Sequence, residues 1–134
     1  MTSPRPPPAP RQALSLAALA EPRVDALARF DMADAAAPLP RCDVLVAGDA
    51  MYTRDLAAAL GRRCAEALRG PRAARVLVAD AQRYAPCREA FLAALRAGAP
   101  RALADRAAFE EGLLDTGGAV PARVAWLDLR SGSG

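Results

Sequence analysis

The chain contains no lysine, histidine, asparagine or isoleucine, and these gaps remove whole classes of chemistry. Without histidine there is no Ser-His or Cys-His nucleophile pair and no Cys/His zinc site. Aromatic residues make up only 4% of the chain, too few to interleave with arginine along a nucleic-acid stripe, so nucleic acid is not an expected partner. No apolar run approaches the ~20 residues that a membrane helix needs, and no membrane partner is expected. The three cysteines, Cys42, Cys64 and Cys87, are odd in number, far apart and outside any CxxC spacing. They read as free thiols of an intracellular protein, cytoplasmic or mitochondrial.

What remains is 134 residues with 53% hydrophobic content, enough for one domain. Much of that content is alanine, so leucine and valine must supply the core. Every base is arginine, and the net charge is +3. With so much alanine and proline, this bias looks like base composition rather than selection for an acidic partner.

The opening "MTSPRPPPAPR" (1–11) cannot form helix or sheet, because proline removes donors and fixes φ; it reads as a disordered leader. Residues 12–130 read as the folded part and 131–134 as a flexible tail. "QALSLAALAE" (12–21) has a short helical pattern with Leu16 and Leu19 on one side. "RVDALARFD" (23–31) alternates Val24, Ala26, Ala28 and Phe30, which predicts a strand, and "AAAPLP" (35–40) a loop.

"DVLVAG" (43–48) is a continuous aliphatic run, expected of a strand covered on both faces. Thr53 can cap the next helix, with Asp55 in its first turn and Leu56, Leu60, Cys64 and Leu68 forming a packing stripe. Gly70–Pro71 stops that helix. "RVLVAD" (75–80) repeats the strand pattern, Pro86 fits a first helical turn, and Phe91, Leu92 and Leu95 line a helix that ends at Gly98. Strand–helix–strand–helix at this spacing is a right-handed βαβ unit, so the fold class is α/β. "RALADRAAFEEGLL" is compatible with a helix, and "ARVAWLDL" (122–129) with a final antiparallel strand at the sheet edge.

In open parallel sheets, ligands bind at the carboxyl ends of the strands. Asp49 and Asp80 follow the two aliphatic runs and should emerge at one edge. Asp80 reads as a helix cap or loop acid. Asp49 and Tyr52 together could orient a polar group, and Gly48 would let a ligand approach the backbone.

"CDVLVAGDAMYTRDLAAAL" resembles the strand-4 segment of class I S-adenosylmethionine (SAM)-dependent methyltransferases. It is most similar to the protein-lysine methyltransferases of the electron-transfer-flavoprotein β subunit and their bacterial relatives. Gly48, Asp49, Tyr52 and Leu56 match, with Met51 where Phe is usual and Thr53 where Asp is usual. Arg75, Val76, Leu77, Asp80 and Arg83 match the next family segment, although Ala81–Gln82 replace its Pro-Gly. Trp126 stands at the family's Trp in the closing strand. The resemblance spans roughly 23–129.

It implies a partial Rossmann-like methyltransferase sheet, strands 3 to 7 of a family order 3-2-1-4-5 with 7 and 6 beyond, and strands 1 and 2 missing. It also implies methyl transfer to a lysine amine of a protein substrate, with Asp49 and Tyr52 at the amine. Asp34, with Asp31 second, would contact the adenine of the cofactor SAM; both read as readily as solvated loop acids. The family's Gly-rich loop after strand 1 has no counterpart, so weak SAM binding or none is expected, as is an exposed edge on strand 43–48. The other readings are a catalytically dead pseudo-methyltransferase acting as a protein-interaction module and, further off, a haloacid-dehalogenase-type phosphohydrolase. "FDMAD" spaces its acids one residue too widely for the D-x-D nucleophile of that last class.

Overall fold

A computed structural model of the chain describes residues 27–71, 74–81, 84–115, 117–118 and 120–131. The chain divides into two compact units, 1–30 and 31–134. Of the first, only residues 27–30 are described, and they have no regular secondary structure. The proline-rich leader, the helix expected at 12–21 and most of the tail therefore lie outside the described residues. So do residues 23–26 of the expected strand 23–31, and the described part of that stretch corrects the expectation: it is not a strand. Alanine is a weak strand former, and Asp31 instead closes a turn, its Oδ1 accepting a hydrogen bond from the Ala33 amide at 2.9 Å.

The second unit is an α/β fold with seven elements among the described residues. They are β1 (Val44–Gly48), α1 (Arg54–Arg69), β2 (Arg75–Asp80), α2 (Ala85–Gly98), a single turn α3 (Arg101–Ala104), β3 (Glu110–Leu114) and β4 (Ala122–Arg130). The strands form one open sheet in the order β1-β2-β4-β3. β1 and β2 run parallel, with Leu45 opposite Val76, while β4 lies antiparallel to both β2 and β3. The sheet is therefore mixed and has four strands among the described residues, not the five expected. "ARVAWLDL" forms a strand as expected but sits inside the sheet. The edge is taken by β3, which together with the turn α3 replaces the helix compatible with "RALADRAAFEEGLL".

The local signals explain the helices. Thr53 is the N-cap of α1: its Oγ1 accepts from the Leu56 amide at 3.1 Å. Asp55 stands in the first turn and Arg69 in the last, both favourable to the helix dipole. Replacing Thr53 with Ala removes the cap and is expected to cost about 1 kcal/mol. In a thermal melt that is a fall of about 4–8 °C, and an unchanged midpoint would refute the cap's contribution. α2 starts with Pro86 in its first turn, where the missing amide costs nothing.

Register decides the faces. Leu45 and Ala47 of β1, Val76 and Val78 of β2, and Leu127 and Leu129 of β4 lie on one face and pack against the helices. Leu60, Cys64 and Leu68 from α1 and Phe91 and Leu95 from α2 fill the space above them. Burial pushes the Cys64 thiol up to about 12, so it behaves as a small core hydrophobe and not as a nucleophile. The opposite face is open among the described residues: Val44 is 49% exposed and Val46 72%. This corrects the expectation that the aliphatic run would be covered on both faces. A continuous apolar run specifies a strand but does not say whether both sides find a partner. Among the described residues β1 is an edge strand of the sheet. On the same open face, Arg75 forms a bidentate pair with Asp128 at 2.9 and 2.7 Å. Hydrogen bonding to Arg75 holds the Asp128 carboxyl below the usual carboxylate range.

Candidate functional site

The carboxyl ends of β1 and β2 emerge side by side, as parallel pairing requires. Asp49 leaves β1 with φ of 48°, a left-handed conformation that Asp tolerates better than most side chains. Its amide still donates to the Ala79 carbonyl at 3.0 Å, extending the β1–β2 ladder by one step. Its Oδ1 accepts from the Ala81 amide at 2.7 Å, tying the exit of β1 to the exit of β2. The reversal at Asp49 is fixed from both sides, and the exposed carboxylate keeps its second oxygen available at the edge. Met51 then turns inward and is fully buried, while Tyr52, 67% exposed, stays outside. Asp49 and Tyr52 thus flank a buried anchor that the sequence did not single out.

Asp80 corrects an expectation. It is neither cap nor loop acid but the last residue of β2, only 2% exposed, on the helix-covered face. Arg88 of α2 donates from Nε to its Oδ2 at 2.7 Å and from Nη1 to Glu111 of β3 at 2.8 Å. Burial disfavours charge on Arg88, but the hydrogen bonds to Asp80 and Glu111 outweigh it and raise its pKa. The Arg88 guanidinium also lies 5.7 Å from the centre of the Phe109 ring. This cluster secures the β2 exit against α2 and β3. No spacing rule joins an Asp, an Arg eight residues on and a Glu further along, so sequence reasoning missed it.

β4 forms its first pair with β2 at Ala125, opposite Asp80, although it begins at Ala122. The β3–β4 hairpin therefore extends about 10 Å past the end of β2. Gly48 faces open space: a Cβ there would meet nothing within 4 Å. The fold itself does not demand that glycine.

Asp31 and Asp34 do not join this group. Asp34 Oδ1 accepts from the Ala36 amide at 3.0 Å, a second local turn. Both turns are held by Arg63, which donates from Nε to the Met32 carbonyl at 3.1 Å and from Nη2 to the Asp34 carbonyl. Arg63 lies nine residues into α1, about 13 Å along the axis from the end nearest Asp49. Two cavities open at this far end. One, of about 490 Å³, lies between α1, α2 and the 32–35 loop, and the other, of about 220 Å³, between 38–42 and the end of α1.

Of the three cofactor-contact candidates, only Gly48 stands at the carboxyl edge, and no glycine-rich loop stands beside it among the described residues. These residues do not fit SAM. Among them there is also no group of three or more His, Cys, Asp or Glu able to hold a metal ion, and no helix long and apolar enough to cross a membrane. Comparison of the chain with protein-family models finds no match, and comparisons with curated proteins and with solved structures find none either.

Proposed function

We propose that residues 31–131 carry the amine-substrate edge of a SAM-dependent protein-lysine N-methyltransferase, without the cofactor edge. The observation that supports this most directly is strand order. β1-β2-β4-β3, with the last strand inserted antiparallel, is the sequence of neighbours that the resemblance implies for strands 4, 5, 7 and 6. On this reading the free oxygen of Asp49 receives a lysine ammonium and the Tyr52 hydroxyl orients it, while the bond to Ala81 keeps the carboxylate aimed. Both groups bind and position; neither needs to be a strong base. Because the described residues do not fit SAM, binding of the amine is the activity assigned to this chain.

The test is a titration of the isotopically labelled chain with a short lysine peptide and its norleucine counterpart, read by amide NMR. The lysine peptide is expected to shift Asp49, Tyr52 and Ala81 selectively. Asp49→Asn retains the Oδ1 acceptor for Ala81 but lacks the charge, and should weaken binding about fivefold, the equivalent of ~1 kcal/mol. Equal responses to lysine and norleucine would sink the proposal. Calorimetric titration with SAM should show affinity weaker than micromolar, and micromolar binding would overturn the claim that the cofactor edge is lacking.

A second reading, a protein-interaction module that pairs through β1, is favoured by the exposure of Val44 and Val46 along an edge strand. It makes the opposite assignment. Val46→Lys would then weaken capture of the lysine-bearing partner, and Asp49→Asn would leave it unchanged.

A further inference from the structure

We infer that the 490 Å³ cleft between α1, α2 and the 32–35 loop binds a small organic anion with an apolar body. It lies at the opposite ends of the helices from Asp49 and does not depend on the function proposed above. Its volume falls within the usual range of small-molecule sites, about 300–1,000 Å³.

The floor is made of methyl groups and backbone, from Ala65, Ala94, Ala97 and Gly98, with Met32 on the rim. No large side chain fills the space. The frame is fixed by Arg63, 5% exposed, which bonds the Met32 and Asp34 carbonyls and donates from Nη1 to Glu66 at 3.1 Å. Glu66 accepts from the Leu39 amide as well, at 2.8 Å. The one acid lining the cleft is thus already matched by Arg63, and the loop wall is clamped to α1.

The charge left over belongs to Arg62 and Arg69. Seven residues apart, they lie on one face of α1, about 10 Å from each other along the axis. Arg62 makes no hydrogen bond or ion pair with the described residues. Arg69 donates Nη1 to the Gly98 carbonyl at 2.6 Å, which lays its guanidinium along the cleft. Gly98 makes that posture possible, since a Cβ there would stand 2.8 Å from Arg69 Nη1. Two guanidiniums without acids, above a neutral floor of methyls, suit a carboxylate or phosphate monoester joined to a ring or short alkyl body.

Phenyl phosphate, benzoate, phenol and inorganic phosphate, each titrated into the full chain and followed by amide NMR, test this. Phenyl phosphate and benzoate should give saturable shifts confined to the cleft, at Ala65, Ala94, Ala97 and Gly98. Phenol should give none, and inorganic phosphate should bind at least fivefold more weakly than phenyl phosphate. Arg62→Ala and Arg69→Ala should each weaken phenyl phosphate at least fivefold, with Arg62→Lys between wild type and Arg62→Ala. Circular dichroism of each variant should match the parent, and a variant that loses its fold is replaced by the lysine form at the same position. Shifts that fail to saturate or spread over all exposed arginines, or affinity untouched by both alanine variants, would overturn the proposal. Inorganic phosphate binding as tightly as phenyl phosphate would overturn the apolar-body part of it.

Discussion

Gly61→Ala is expected to destabilise the chain by about 2 kcal/mol or more, although alanine is the better helix former by about 1 kcal/mol. Gly61 lies inside α1 where it crosses α2, and a Cβ at that position would stand 2.5 Å from the Phe91 carbonyl oxygen and 3.0 Å from the Ala94 Cβ. The first contact is with backbone, so no rotamer change relieves it. The helices must separate, and separation loosens Phe91 and Leu95, both completely buried on α2. Overpacking of this kind costs about 1–3 kcal/mol even where neighbours can yield. Urea denaturation is the direct measurement: the midpoint should fall while the slope stays constant. A midpoint that holds or rises would mean that the helices can move apart without loss.

Arg88→Ala should have an effect of similar or greater size. It leaves the Asp80 carboxylate buried without the guanidinium that bonds its Oδ2, and it also releases Glu111. Removing one partner from a buried ion pair typically costs about 3–5 kcal/mol. Because part of the loss comes from an acid that stays buried after its guanidinium is gone, Arg88→Met combined with Asp80→Leu should recover a good share of it. The coupling energy from such a double-mutant cycle distinguishes an ion pair from simple loss of side-chain packing. A double variant as unstable as the sum of the single ones would show that the pair contributes nothing specific. Loss of Arg88 should also loosen the β3–β4 hairpin, giving faster amide exchange at Glu111 than at Val76.

The elements most legible in the sequence were those whose local and long-range requirements coincide. "DVLVAG" and "RVLVAD" became β1 and β2 with boundaries within a residue, because β-branched runs ending at turn chemistry leave little choice. Thr53, the Leu60–Cys64–Leu68 stripe and Gly70–Pro71 delimit α1 on the same logic. β3 was hidden because "EEGLL" has no strand signature of its own. It extends because β4 offers it a ladder, with Gly112 accommodating Trp126, whose ring stands 2.8 Å from where a Cβ would be. At the edge, Asp49 and Tyr52 could be placed from the strand ends alone. The destination of Asp31 and Asp34 could not, since it depends on Arg63 reaching back about thirty positions to the Met32 and Asp34 carbonyls. Hydrophobic pattern likewise identified β1 as a strand but gave no measure of how exposed Val46 would be.

The insertion of β4 between β2 and β3 carries a consequence for the order in which the molecule is completed. β4 is made after the other six described elements, yet it is the strand that joins β2 to β3, with Arg75 of β2 opposite Arg130. Until β4 is free to move, β2 has only β1 beside it among the described strands and β3 has none of them. The helices can associate early, because their contacts are close in sequence, but the sheet cannot close from its start to its end as it is made. The newborn chain therefore carries open strand borders until β4 has emerged, a period in which unintended pairing with other chains is easiest. A stop just ahead of Ala122 would take away the middle of the sheet rather than trim its rim.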